Sequence, residues 1–215
     1  MDIKYAERIN KLPPYLFVAI DKAKQERIAK GRDVIDLGIG DPDIPTPKPI
    51  IESLYKAAQD PSNHRYPSNR GMQKFREHIA KWYKKRFDVN LDPDTEILPL
   101  IGSKEGIAHL PFAFLNQGDE ALVPDPGYPP YKNGVILAGA IPYLMPLLEE
   151  NDFLPDLSVI DPQTVKRAKL MFLNSPNNHT SATADKDFFQ KTTAFAAKYN
   201  IIVCHDAAYS EVFFE

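Results

Sequence analysis

The sequence predicts an α/β fold built on a doubly wound, mostly parallel sheet. From residue 97 onward, short apolar runs alternate with longer segments of helical periodicity, which is typical of strand–helix–strand units. A second observation is the run of four apolar residues at 201–204, Ile-Ile-Val-Cys. Such a run predicts a strand covered on both faces, as strands of a parallel sheet are.

The spacing of the apolar residues and the positions of the turn residues predict the individual helices and strands. Apolar runs bounded by turn residues predict strands at 34–37, 97–101, 121–124, 141–144, 169–173 and 201–205. Apolar positions three and four residues apart predict helices at 14–30, 49–59, 71–86, 105–115, 128–138 and 185–199. The 20 prolines cluster at 42–49, 124–130 and 155–162. Because these clusters lie between periodic segments, they indicate loops and not disorder.

Composition and charge limit the classes of function. A length of 215 residues, 43% of them hydrophobic and 26% charged, is that of a soluble globular protein with one sizeable core. The net charge of −3 and the scattered basic residues give no reason to expect a nucleic-acid partner. No run approaches the ~18 apolar residues of a membrane span. The polar start is no signal peptide, and the single cysteine, Cys204, indicates a reducing compartment. We expect a cytoplasmic protein that does not bind membranes.

One segment has the residues of a phosphate-binding turn. Residues 102–106, Gly-Ser-Lys-Glu-Gly, follow a predicted strand and open a predicted helix. Glycine lets the backbone approach closely, Ser103 supplies a hydroxyl, and the amides of a helix start favour a phosphate. A plain capping turn with Ser103 as the N-cap explains the same residues. The segment is neither a Walker sequence nor GxGxxG, which disfavours ATP and dinucleotides.

Three further loops follow predicted strands. A proline-rich turn holds Tyr128 and Tyr131, which could offer a flat ring for stacking or simply pack in a surface turn. The segment 174–180 has paired asparagines, which suit a helix start as well as a site. Its His179 has no second ligand at metal spacing, so no metal site is predicted. Asp206 follows the last strand, where open α/β sheets bind ligands, although a helix N-cap is the alternative.

Taken together and in this order, these segments resemble the fold-type-I, pyridoxal-phosphate-dependent aminotransferases of class I/II. The segments that look most like the LL-diaminopimelate aminotransferase branch are RINKLPPY at 8–15, GIGDP at 38–42, GSKEGIAH at 102–109 and HDAAYSE at 205–211. The resemblance runs through nearly all 215 residues. It implies transfer of an amino group from an amino acid, here LL-diaminopimelate, to a 2-oxo acid such as 2-oxoglutarate. Other pyridoxal-phosphate chemistries on the same fold, such as carbon–sulfur lysis, stay open.

The resemblance also implies which residues hold the phosphate and the substrate. Ser103 and the backbone at Lys104 match the positions that hold the cofactor phosphate in the family. Tyr66 matches a tyrosine that reaches the cofactor phosphate of the partner subunit, which implies a homodimer. Tyr15 and Gly40 match substrate-side positions of the diaminopimelate branch.

For the cofactor ring, the resemblance implies four contacts. Tyr128 stacks on the pyridine ring, and Asn178 and Tyr209 hydrogen-bond its phenolic oxygen. Asp206 pairs with the pyridine nitrogen and keeps it protonated, so that the ring accepts the electrons released at the substrate α-carbon. The chain departs from the family at His179, where proline is usual after the asparagine.

The resemblance divides the chain into residues 1–45, an N-terminal arm and small-domain segment, and residues 46–215, part of the cofactor-binding large domain. The family's Schiff-base lysine lies one strand beyond the position of Asp206, and no lysine of this chain matches it. No catalytic residue is therefore assigned. We expect the N-terminal portion of an enzyme of roughly 400 residues, with two domains, inactive by itself.

Two alternatives belong to other functional classes. One is a non-catalytic binding or interaction protein that keeps half of the aminotransferase fold. The other, a transcription regulator, is disfavoured because no DNA-binding helix-turn-helix precedes the matched segments and the chain is slightly acidic.

Overall fold

Four parallel strands form the core of the fold. They are β1 (Glu120–Asp125), β2 (Ile141–Pro146), β3 (Ala168–Asn174) and β4 (Ile202–Asp206), and they lie in the order β2-β1-β3-β4. Every neighbouring pair is parallel. The four strands match predicted ones to within a few residues, so the predicted class of fold is confirmed.

Eight α-helices accompany the sheet in the computed structural model, which describes residues 3–14, 16–38, 40 and 44–212. The helices are α1 (Glu7–Asn10), α2 (Leu16–Ala29), α3 (Lys48–Ala58), α4 (Gln73–Phe87), α5 (Ser103–Phe114), α6 (Pro129–Leu137), α7 (Pro162–Arg167) and α8 (Lys186–Tyr199). All six predicted helices are present. The two that were not predicted, α1 and α7, have four and six residues, which is too short for a 3.6-residue period to emerge. None of the described helices is long and apolar enough to cross a membrane.

The chain divides into two units. The sheet unit comprises Met1–Leu12 and Leu100–Glu215, and the helical unit comprises Pro13–Pro99. The helical unit contains α2, α3 and α4. Within it, the side chain of Arg76 is buried and lies 3.4 Å from a carboxylate oxygen of Asp94, which partly offsets the cost of burying the guanidinium charge.

Helices cover both faces of the sheet, as a doubly wound fold requires. On one face, Ala121, Leu170 and Phe172 pack with residues of α5 and α6 in one apolar cluster. On the other face, Leu122 and Met171 pack with residues of α7 and α8. Neighbouring strand residues point to opposite faces, so the continuous apolar runs of β1 and β3 supply both clusters.

Two predicted strands are wrong. Residues 34–37 and 97–101 form no ladder with any strand among the described residues, and Ile101 is 94% exposed. A β-strand exists only through hydrogen bonds to a neighbouring strand, and composition alone does not supply the neighbour. Both segments have strand-like composition without that partner.

The predicted burial of the last strand is confirmed only in part: Cys204 and Val203 pack against the apolar clusters on opposite faces of the sheet, but the strand is not fully buried. β4 pairs with β3 and with no other described strand, so it lies at the edge of this sheet. Ile202 is 40% exposed, and Val203 and Cys204 are only half-buried. An apolar run therefore predicted the strand correctly but not its place in the sheet.

Candidate functional site

The carboxyl ends of the strands meet at one edge of the sheet, because all the strands are parallel. β1 ends at Asp125, β3 at Asn174 and β4 at Asp206. Asn174 and Asp206 are direct register partners. In open α/β sheets this edge is where ligands bind, and the polar side chains predicted as functional in this unit follow these strand ends or open α5.

Asp206 is held by three hydrogen bonds at this edge. Its Oδ2 accepts from the hydroxyl of Tyr131 at 2.7 Å, and its Oδ1 accepts from the backbone N–H of Ala208 at 3.3 Å. Its backbone carbonyl accepts from Nδ2 of Asn174 at 2.9 Å. Residues 208–211 form a turn, and none of residues 207–212 is helical, so the alternative of Asp206 as a helix cap is wrong for the described chain.

Tyr131 is a residue whose role the sequence did not reveal. Its ring was expected at the surface or in a stacking turn, but the side chain is fully buried. The ring stacks on Phe172 with centroids 5.0 Å apart and planes 17° apart. Burial, and then the hydrogen bond to Asp206, raise the pKa of the Tyr131 hydroxyl far above its usual value. The hydroxyl therefore keeps its proton at neutral pH and donates a hydrogen bond to the carboxylate.

Tyr128 links the strand end to the turn that is predicted to bind phosphate. It is the N-cap residue of α6, and its ring lies edge-on to Tyr131, with centroids 5.7 Å apart. The Nζ atom of Lys104 lies 5.7 Å from the centroid of the Tyr128 ring, a cation–π distance. The turn before Tyr128 requires glycine, because a Cβ on Gly127 would lie 2.1 Å from the carbonyl oxygen of Pro124.

The start of α5 has the features of an anion site. Gly102 is the N-cap residue, with a φ of 110° that glycine adopts readily, and a Cβ there would meet no atom within 4 Å. Ser103 is the first helical residue and is exposed, so the alternative of Ser103 as the N-cap is wrong. Glu105 accepts the N–H of Ile101 at 3.0 Å. The first-turn amides of a helix have no intrahelical acceptor and favour an anion.

Asn178 and Tyr209 meet across the same edge. The Tyr209 hydroxyl donates to Oδ1 of Asn178 at 3.1 Å, and the N–H of Asn178 donates to Oδ1 of Asn174 at 2.7 Å. The neighbouring Asn177 is buried, and its Oδ1 accepts the N–H groups of His179 and the next residue at 2.9 and 3.0 Å. These asparagines hold the loop that carries His179, the position at which the resemblance predicts a proline.

The remaining predicted site residues lie outside the sheet unit. Tyr66 belongs to the helical unit and is 94% exposed, and Gly40 is exposed as well. Tyr15 lies outside the described residues. Their roles stay predictions, as do the cofactor contacts assigned to the others. In the part of the chain that the structure describes, no group of three His, Cys, Asp or Glu side chains could hold a metal ion.

Cys204 lies two residues before Asp206 and provides a test of this environment. Burial, and then the charge of Asp206, raise the pKa of the Cys204 thiol to about 11. At pH 8 we expect iodoacetamide to alkylate Cys204 about a hundredfold more slowly in the folded protein than after unfolding. Mass spectrometry of the peptide that contains Cys204 measures both rates. Equal alkylation rates at pH 8 would contradict the raised pKa.

The raised pKa of Cys204 also affects stability. Because the thiol ionises at lower pH in the unfolded chain than in the folded one, its contribution to the free energy of unfolding falls as the pH rises from about 9 to 11.

Comparison with known proteins identifies the family. The family model described as aminotransferase class I and II matches residues 32–215. The chain therefore belongs to the class I and II aminotransferase family. Proteins of this family depend in general on pyridoxal phosphate.

Individual relatives agree with this assignment. An LL-diaminopimelate aminotransferase of Aquifex aeolicus is 55% identical over 98% of this chain and 54% of its own length. One of Syntrophobacter fumaroxidans is 58% identical over 97% of this chain and 54% of its own length. The chain spans about half the length of the curated relatives that it matches.

Solved structures show the same relationship. The substrate-bound structure of BacF from Bacillus subtilis has a TM-score of 0.89 and 44% identity, over 96% of this chain and 52% of its own. The alanine aminotransferase of Pyrococcus furiosus has a TM-score of 0.89 and 30% identity, over 99% of this chain and 54% of its own.

Proposed function

We propose that this chain supplies the cofactor-holding residues of a pyridoxal-phosphate-dependent aminotransferase, which acts on LL-diaminopimelate and 2-oxoglutarate. The observation that supports this most is the position of Asp206. Its carboxylate lies at the ligand-binding edge of a parallel sheet, held by Tyr131 at 2.7 Å. An anionic group held by neutral donors keeps its charge available for a cationic ring nitrogen.

The donor set at this edge fits the chemical groups of pyridoxal phosphate. The helix start at Gly102 suits the phosphate, and the ring of Tyr128 suits an aromatic face. The Asn178–Tyr209 pair offers an amide and a hydroxyl to a phenolic oxygen. When bound, the cofactor supplies an electron-accepting ring.

The chain's own residues then have distinct tasks. Asp206 holds a proton at the pyridine nitrogen, and each unit of pKa shift of that nitrogen corresponds to about 1.4 kcal/mol. The amides and the hydroxyl at Ser103 would hold the phosphate, and Tyr128 would stack on the ring. These contacts fix the cofactor before any substrate arrives, which lowers the entropic cost of reaching a reactive geometry.

The relatives support the choice of substrate. The two LL-diaminopimelate aminotransferases described above share 55% and 58% identity with this chain. The same substrate places the activity in amino-acid biosynthesis, towards lysine. The test is glutamate formation from LL-diaminopimelate and 2-oxoglutarate by the full-length protein. The meso isomer and alanine are the control donors, and turnover of alanine without turnover of LL-diaminopimelate contradicts the assignment.

The complete protein is a homodimer, with residues 46–215 in its large domain. If it has the length of its relatives, the lysine that the family uses lies in the part that this chain does not include. The partner subunit receives Tyr66, whose side chain is 94% exposed. The helix α3 of the same unit exposes Ile50, Leu54 and Tyr55 at 58%, 71% and 66%. An apolar face of this kind suits a second copy of the chain.

A hybrid dimer tests whether Tyr66 acts across the interface. We expect the Tyr66→Phe and Asp206→Asn homodimers to be impaired, and a hybrid of one chain of each, isolated with two affinity tags, to keep about half of wild-type activity. In this hybrid one site has both defects and the other has none. The matched control pairs a wild-type chain with a chain carrying both substitutions, which leaves one defect in each site. If the control is the more active hybrid, Tyr66 serves its own subunit.

A further inference from the structure

The hydrogen bond between Tyr131 and Asp206 lies outside the set of contacts that the family resemblance assigned. Tyr131 is in the first turn of α6 and Asp206 ends β4, 75 positions later in the chain. The side chain of Tyr131 is 0% exposed, so its hydroxyl is not available to solvent. Its O···O distance of 2.7 Å is that of a good hydroxyl–carboxylate hydrogen bond.

Packing fixes the Tyr131 ring from two sides. One face stacks on Phe172 of β3, with centroids 5.0 Å apart, and Tyr128 meets it edge-on at 5.7 Å. The position of the hydroxyl is therefore set by the apolar core and not by a mobile side chain. A rigid donor restricts the rotation of the carboxylate that accepts from it.

The chemistry of the donor matters as much as its position. A lysine or arginine here would offset the negative charge of Asp206, whereas a phenol that keeps its proton leaves that charge in place. Oδ2 is bound by Tyr131, and Oδ1 accepts only the longer bond, 3.3 Å, from the N–H of Ala208. The second anchor, Asn174, holds the main-chain carbonyl and not the carboxylate.

We propose that Tyr131 is a positioning residue, which orients the Asp206 carboxylate so that one oxygen faces the cofactor's pyridine nitrogen. This inference rests on the proposed function, because it requires Asp206 to contact the cofactor. Tyr131 acts through Asp206 and touches neither cofactor nor substrate. The tyrosine proposed to contact the ring is Tyr128, which packs edge-on against Tyr131.

A double-mutant cycle on cofactor affinity tests this role. In the full-length protein freed of cofactor, we expect Tyr131→Phe to weaken pyridoxal phosphate binding about three- to tenfold, the size of one lost hydrogen bond. In an Asp206→Asn background the same change has no further effect, because the group that it positions has lost its charge. Fluorescence titration measures the dissociation constants, and thermal unfolding without cofactor checks that each variant folds.

The matched control is Tyr143→Phe. This tyrosine packs with the apolar cluster on the opposite face of the sheet, and the same loss of a hydroxyl there leaves the dissociation constant unchanged. Equal losses from Tyr131→Phe in both backgrounds, or no loss in either, overturn the positioning role. If Asp206→Asn alone leaves cofactor binding unchanged, the proposed function itself fails. The two failures are therefore distinguishable.

Discussion

In the full-length protein, we expect replacement of Asp206 by asparagine to lower kcat about thirtyfold or more, with a much smaller change in KM. Asparagine has nearly the same shape but no charge, so it cannot hold a proton at the pyridine nitrogen. Removing one partner of a buried, hydrogen-bonded charge pair costs about 2–5 kcal/mol. Each 1.36 kcal/mol is a factor of ten in rate. Steady-state kinetics with LL-diaminopimelate and 2-oxoglutarate measure the two constants.

The matched control for this prediction is Asp161→Asn. Asp161 caps α7 by accepting the N–H of Gln163 at 2.9 Å, and asparagine caps helices equally well. The same chemical change at this position leaves kcat and thermal stability close to those of the wild type. If Asp206→Asn also keeps the wild-type kcat, Asp206 has no part in the chemistry and the proposed function loses its main support.

Truncation of Leu170 to alanine destabilises the protein by about 2–5 kcal/mol. Leu170 is 0% exposed in the centre of β3, and it packs in the same cluster as Tyr131 and Phe172. The lost side chain leaves a cavity that the strands on either side, β1 and β4, cannot close. Because whole proteins are stable by only about 5–15 kcal/mol, this is a large fraction of the total. Denaturant unfolding, with the slope and midpoint fitted together, measures it.

The control for the core truncation is Leu148→Ala. Leu148 is 47% exposed, so the same change of side chain removes about half as much buried apolar surface, and we expect no more than about 1 kcal/mol. If both truncations cost the same, the burial at Leu170 does not reflect the packed core of the protein.

Local patterns predicted the elements well where the pattern and the packing agree. The apolar runs of β1 and β3 are buried on both faces, and their continuous hydrophobicity is the direct consequence. Helices with a clear period, such as α8 with Phe188 and Phe195 on the face that packs against the sheet, were equally visible. In these elements the hydrophobicity of most residues corresponds to their burial, with exceptions such as the buried Glu120 and Thr192.

Prediction failed where a property depends on a distant partner. The segment 97–101 has strand composition but no strand beside it among the described residues. Tyr131 was recognised only as an aromatic residue in a turn, since the carboxylate that it binds is 75 positions away. The same holds for Asn174, whose bond to the carbonyl of Asp206 spans 32 positions. Its place at the end of a strand was the one available signal.

The sequence by itself determined the four strands of the described sheet, six of the eight described helices, the family, and which side chains follow the strand ends. These depend on local hydrophobic period and on motifs of consecutive residues. Only the tertiary structure decided that β4 lies at the edge of the described sheet, that Asp206 accepts a hydrogen bond from Tyr131 and does not cap a helix, and that Gly102 is the N-cap of α5. The first two depend on contacts between segments that are far apart in the sequence, and the third is a local backbone conformation. The linear order of the residues encodes neither directly.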